Sequence, residues 1–263
     1  MRCTVRLMAY DVMNELRWSG PLRRGDRSAE VRRLQEWLLV NRAVKKLALD
    51  GDFGPGTEGA VKSFQAMVGV EPTGVADENT LGLLTAPMRA ALQPLVVAPG
   101  TSLGEACALY AESLLPLGIR EIVPNLGPYV RWLMRGMEGT EWPWCAGAMR
   151  QVVHHGCAAV NLREPPFAQS VGCARLARNA QAAGRFLKGK TLGPRNLRGA
   201  LFVIPQPSGR DWFHTGIVLG DHDEEDFVRT AEGNTNLAGS AEGTDFLLGK
   251  RRRAKMDYLL LDA

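Results

Sequence analysis

The sequence predicts an α+β protein in two parts: a small three-helix bundle near the N-terminus, then a larger domain of helices packed on an antiparallel sheet. Three observations predict it. Apolar residues recur at helical spacing through the first half of the chain. From Leu201 onward they fall instead into short alternating runs bounded by turn residues. Between the two halves, Pro87, Pro94 and Pro99 punctuate small apolar residues, the composition of a linker. Helices first and antiparallel strands afterwards is the α+β order, and 263 residues suffice for two domains.

In the first part, Ser28 can cap a helix that places Val31, Leu34, Trp37 and Leu38 on one face. A glycine-rich loop covers 47–55. A second helix from about Thr57 carries Ala60, Val61, Phe64, Met67 and Val68 at helical spacing. Gly74 turns the chain, and Asp77 can cap a third helix with Leu81 and Leu84 on its apolar side. The organisation is thus an N-terminal extension over 1–19, a bundle over 20–86, a linker over 87–100 and a second domain over 101–263, with no internal repeat evident.

These residues carry a family resemblance. Leu34-Gln35, Leu38, Asp50-Gly51-Asp52-Phe53-Gly54-Pro55, Thr57, Ala60-Val61, Phe64-Gln65, Gly74-Val75 and Thr80 follow, in order, the pattern of a three-helix peptidoglycan-binding domain. The resemblance covers about 20–86 and implies an anchor for bacterial wall hydrolases, with peptidoglycan as partner. The Asp50–Gly54 loop reads as structural: its glycines take turn conformations and Phe53 pins it to the bundle. The ligand spacing of an EF-hand is absent.

In the second part, Thr101 or Ser102 opens a helix with Glu105 placed for a capping box, ending near Pro116-Leu117-Gly118. Another helix is expected over about 128–137. Strand-like runs follow at 201–204, 213–219, 227–231 and 258–261.

The chemistry begins with a cysteine at the start of a predicted helix, in Glu141-Trp142-Pro143-Trp144-Cys145-Ala146. There a thiol meets the positive end of the helix dipole and free backbone N–H groups, which favour thiolate and could hold an oxyanion. His214 lies on a predicted strand, where Gly216 leaves space beside the imidazole for a cleft. Glu232 and Asn234, two apart on the next strand, face one way, and either can accept the imidazole N–H. A thiol, an imidazole and a carboxylate or amide, in that chain order, are the parts of a cysteine nucleophile, its base and the base's orienter.

Together these segments resemble the CHAP domain, a papain-like fold of cysteine amidases and endopeptidases, over about 102–262. The matching positions are Trp144-Cys145-Ala146, His214-Thr215-Gly216-Ile217-Val218 and Glu232-Gly233-Asn234-Thr235, with Leu117-Gly118-Ile119-Arg120-Glu121 before the active helix. The resemblance implies nucleophile Cys145, base His214 and orienter Glu232, with Asn234 as helper or substitute. Many relatives have valine where Thr215 stands. Trp142 and Trp144 are candidate walls of a substrate cleft. Joined to the anchor, this implies an endolysin-like peptidoglycan hydrolase, either amidase or endopeptidase.

Other features bound the reading. Hydrophobic content of 45% and charged content of 23% are those of a globular chain. A net charge of +4 is too weak to argue for nucleic acid. No run is long enough to span a bilayer. The N-terminal apolar stretch is short and broken by Asp11, so no secretory signal is read and synthesis is expected in the cytoplasm, with action at the wall. A monomer without cofactor or metal is expected. Five cysteines without a regular spacing fit a reducing compartment; Cys107, Cys157 and Cys173 read as small buried side chains. His154-His155-Gly156-Cys157 reads as a helix end at Gly156 with a favoured imidazolium, since adjacent helical side chains diverge by about 100°. The basic run 250–255 reads as a solvated strand end or turn, and 221–226 as an acidic hairpin turn.

Overall fold

The computed structural model describes residues 10–191, 196–240 and 243–262. Within these, seven α-helices are α1 (Ala29–Val40), α2 (Pro55–Met67), α3 (Glu78–Ala91), α4 (Leu103–Leu114), α5 (Pro128–Met134), α6 (Cys145–Ala159) and α7 (Cys173–Ala182). The strands are β1 (Phe186–Leu187), β2 (Leu201–Pro205), β3 (Trp212–Asp221), β4 (Phe227–Thr235), β5 (Asp245–Arg252) and β6 (Asp257–Leu259). The α+β class holds. None of the described helices is long and apolar enough to cross a membrane.

The chain divides into two compact units: residues up to Ala90 with Glu121–Gly139, and Ala91–Arg120 with Thr140–Ala263. The segment 121–139, placed by sequence in the second domain, therefore packs with the first unit. Arg131 on α5 explains why. Its guanidinium bonds Glu15 at 2.7 and 2.9 Å, Glu36 at 2.5 Å and Glu138 at 2.9 Å, and a guanidinium fork satisfies several carboxylates at once. The part of the 1–19 extension that is described is docked rather than frayed: Leu16 is buried and the Glu15 carbonyl accepts the Trp37 indole N–H. Residues 1–9, with Cys3, lie outside the described residues. The linker reading at 87–91 is corrected, because α3 runs through Pro87 to Ala91.

The first unit is built by one device used twice. Gln35 on α1 donates to Asp50 Oδ1, Asp52 O and Thr57 Oγ1, and its Oε1 accepts from Gly51 N. Gln65 on α2 donates to Thr73 Oγ1, Val75 O and Thr80 Oγ1, and accepts from Gly74 N. Each loop turns on a left-handed glycine, Gly51 at φ 74° and Gly74 at φ 78°, a conformation that a side chain resists. This internal repeat escaped the sequence reading. Ser28 caps α1 through Val31 N, Asp77 caps α3 through Thr80 N, and Phe53 is fully buried, as expected.

In the second unit the sheet order is β1-β6-β2-β3-β4-β5, with antiparallel pairing throughout. One face is sealed by Phe202, Val218, Val228, Met256 and Tyr258. Helix α6 packs against α4 and against β3 and β4. It does so closely because a Cβ on Gly156 would sit 2.3 Å from Cys107 Sγ. Gly156 is thus a packing glycine and not a stop, and α6 continues to Ala159. Ser102 caps α4, but the carboxylate of Glu105 goes to Arg198, so the capping box is only half formed. The strand β5 and the short β1 are additions to the sequence reading. The basic run lies on β5 and the 3₁₀ turn after it.

Candidate functional site

Cys145 is the first residue of α6, preceded by Trp144 as a cap without a side-chain hydrogen bond. Cys173 is the first residue of α7, and the two sulfurs are 3.5 Å apart. Two helix N-termini, each carrying about half a positive charge, thus converge on one pair of thiols. The sequence reading placed Cys173 among the small buried side chains; it is buried, and the fold sets it beside the candidate nucleophile.

His214 stands on β3 opposite Ile204 of β2. Its Nε2 lies 2.8 Å from Glu232 Oε2. Its Nδ1 is buried with no partner at hydrogen-bonding geometry, yet the ring is close enough to Cys145 for each to shift the other. Cys145 is driven well below the usual thiol range, first by the Cys173 hydrogen bond, against burial, and then by His214. Cys173 moves well above that range through its hydrogen bond with Cys145 and through burial. Burial opposes charge on His214, but Cys145 and Glu232 outweigh it and raise the imidazole to about 9. The site therefore favours a thiolate–imidazolium pair.

Glu232 is fully buried on β4. Burial opposes its charge, but Arg251 and His214 prevail and hold it at about 2. Arg251 Nε bonds Oε1 at 2.8 Å, its Nη2 pairs with Oε2, and Thr230 donates to Oε1 at 2.5 Å. Arg251 is the residue that sequence reasoning missed. The carboxylate fits because Gly249 faces it: a Cβ there would lie 2.5 Å from Glu232 Oε1 and 2.6 Å from Thr230 Oγ1.

Three expectations change. Glu232 and Asn234 do not share a face by simple alternation, because the β4–β5 register shifts between Glu232 and Thr235 and Asn234 is left-handed at φ 57°. The space over Gly216 is filled by Phe202 and the Glu232 side chain, so it is packing and not a cleft. Trp144 is fully buried against Gly233, whose Cβ would meet its ring at 2.7 Å; a ligand could meet only Trp142, which is 38% exposed. Thr215 donates to Phe202 O, consistent with a side chain turned into the sheet.

The histidine pair on α6 is held by ring contacts. The His155 ring stacks on Tyr110 at 4.2 Å, and the His154 and His155 rings stand at 86°. Burial, with His154 adding to it, lowers His155 to about 4, so the expected imidazolium is replaced by a neutral ring. Among the described residues, no group of three or more histidine, cysteine or acidic side chains could hold a metal ion.

In the first unit, the α1–α2 loop and its glutamine clamp present Arg27, Arg32, Asp50 and Asp52 around a shallow concavity. Arg27 and Asp52 pair at 2.7 Å. Residues 27–84 match the family described as "Putative peptidoglycan binding domain". This peptidoglycan-binding module contains the whole repeated clamp, from Ser28 to Thr80, and supports association with the cell wall and peptidoglycan as partner. No curated protein matches the chain.

Proposed function

We propose that the chain is a peptidoglycan hydrolase, with a CHAP-type, papain-like second unit that cleaves an amide bond in the peptide part of the wall. The observation that carries this reading is the His214 imidazole, held on Nε2 by Glu232 and unpartnered on Nδ1 beside a thiol at a helix start. In this scheme Cys145 thiolate attacks the amide carbonyl carbon and the C–S bond forms. Backbone N–H groups at the start of α6 hold the oxyanion. His214 imidazolium gives its proton to the departing amine as the C–N bond breaks. A water, deprotonated by the now neutral ring, releases the acid from the thioester and restores the thiolate–imidazolium pair. Glu232 stabilises the imidazolium, with Asn234 as the candidate helper or substitute. The peptidoglycan-binding module raises the local concentration of substrate.

The set of residues serves an N-acetylmuramoyl-alanine amidase or a stem-peptide endopeptidase equally, as selectivity rests on cleft walls. An endolysin-like role at the wall follows from the pairing of anchor and hydrolase. One observation favours a second reading, a wall-binding protein without activity: Cys145 is 2% exposed and both His214 and Glu232 are at 0%. There the trio would be a buried ion-pair network that fixes the core.

Purified peptidoglycan separates the two. The hydrolase reading expects new amino termini in the digest with the wild type and none with Cys145→Ala, while both proteins sediment with walls equally. Intact walls with the wild type would leave only the binding protein.

A further inference from the structure

The sulfurs of Cys145 and Cys173 lie 3.5 Å apart at the first residues of two different helices. Both are free thiols in the structure. A disulfide requires about 2.05 Å between sulfurs, so the pair has about 1.5 Å left to close. The remaining described pair, Cys107 and Cys157, lacks this chemistry, because burial raises both thiols and neither is paired with an imidazole.

The geometry points to a modification that the hydrolase reading does not include: a reversible Cys145–Cys173 disulfide, formed by peroxide, with Cys145 as the attacking thiol and Cys173 as the resolving one. The inference rests on the thiol pair and not on hydrolysis.

Each step balances. Cys145 thiolate attacks one oxygen of hydrogen peroxide; an S–O bond forms, the O–O bond breaks, and the leaving hydroxide takes the His214 proton to become water. Sulfur has lost two electrons to the peroxide and is now a sulfenic acid. The Cys173 sulfur then attacks it, passing its proton to the departing oxygen. The S–S bond forms, the S–O bond breaks, and a second water leaves.

Several features suit the pair to this chemistry. Cys145 is favoured as thiolate, the form that peroxide oxidises. Cys173 keeps its proton, which the leaving oxygen needs. The two sulfurs already lie 3.5 Å apart, so the resolving thiol stands beside the sulfur it attacks. The disulfide would remove the thiolate that the proposed hydrolysis requires, so oxidation would silence the site and a dithiol would restore it.

Non-reducing peptide mapping of the intact protein after hydrogen peroxide tests this. The expected result is a dominant linked peptide joining Cys145 and Cys173, with loss of two hydrogens and reversal by dithiothreitol. In Cys173→Ser, Cys145 should instead accumulate as a sulfenic acid that dimedone captures. A wild-type protein whose Cys145 becomes dimedone-reactive without linking overturns the proposal, as does cross-linking of Cys107 and Cys157 to an equal extent. The wild-type map decides even where the variant fails to fold. Because the readout is mass, it stands whether or not the wall is hydrolysed; loss and return of hydrolysis is read separately.

Discussion

Nε2 of His214 lies 2.8 Å from Oε2 of Glu232, and both side chains are fully buried. The carboxylate therefore fixes which ring nitrogen is engaged and leaves Nδ1 without a hydrogen-bond partner. Replacing Glu232 by Gln removes the charge that stabilises the imidazolium. We expect His214 to titrate well below about 9 in Glu232→Gln, read by NMR of the ring. Any hydrolysis should fall about 10²- to 10⁴-fold, the range for losing general acid–base help.

The same pair sets a pH window for stability. His214 is raised from 6.5 to about 9, so its contribution is complete below 6.5 and is lost as pH rises through about 9. Glu232 is lowered from 4.5 to about 2, so its contribution is complete above 4.5 and is lost as pH falls through about 2. Cys145, lowered well below 9.0, gains stability as pH rises to 9.0 and offsets the His214 decline, so denaturant midpoints should hold level between 6.5 and about 9. In Cys145→Ala the offset is lost and the midpoints should decline above pH 6.5.

Arg251 bonds both oxygens of Glu232 from β5. Arg251→Met leaves a buried carboxylate short of its partner, a loss of about 3 kcal/mol. Chemical denaturation should show it, and a change below 0.5 kcal/mol would mean that the clamp is incidental.

Gly249 makes room for that carboxylate, since a Cβ would come within 2.5 Å of it. Gly249→Ala should cost about 1–3 kcal/mol by overpacking and lower the His214 pKa by displacing Glu232.

Gln35 satisfies the Gly51 N–H and three acceptors on its loop. Gln35→Ala strands these groups, at about 1 kcal/mol or more each for those that remain buried. Thermal unfolding should weaken, and sedimentation with peptidoglycan should fall while the second unit keeps its His214 titration.

The helices and most of the sheet were legible because burial imposes a period. Val31, Leu34 and Leu38, or Leu201 to Ile204, reveal their faces directly. Strand β5 was not, because it is an edge strand whose Gly249, Lys250, Arg251 and Arg252 read as a solvated basic run. Its only signal was that Arg251 lies two residues from Gly249, on the same side of a strand. Cys145, His214 and Glu232 were readable as chemistry in chain order. Cys173 was not, since nothing in a sequence states that two helix starts converge. The glutamine clamps escaped because Gln35 precedes its glycine by a longer interval than Gln65 does. Only Gly51 to Thr57 and Gly74 to Thr80 keep a common spacing.

The account turns on Cys145 being ionised beside His214 at neutral pH. The direct measurement is the ultraviolet thiolate absorbance of the folded protein as a function of pH, as the difference between wild type and Cys145→Ala. We predict a thiolate signal that persists well below pH 9.0, the ordinary thiol value, and that weakens in His214→Ala. A difference signal that appears only near pH 9.0, unchanged by loss of His214, would contradict it.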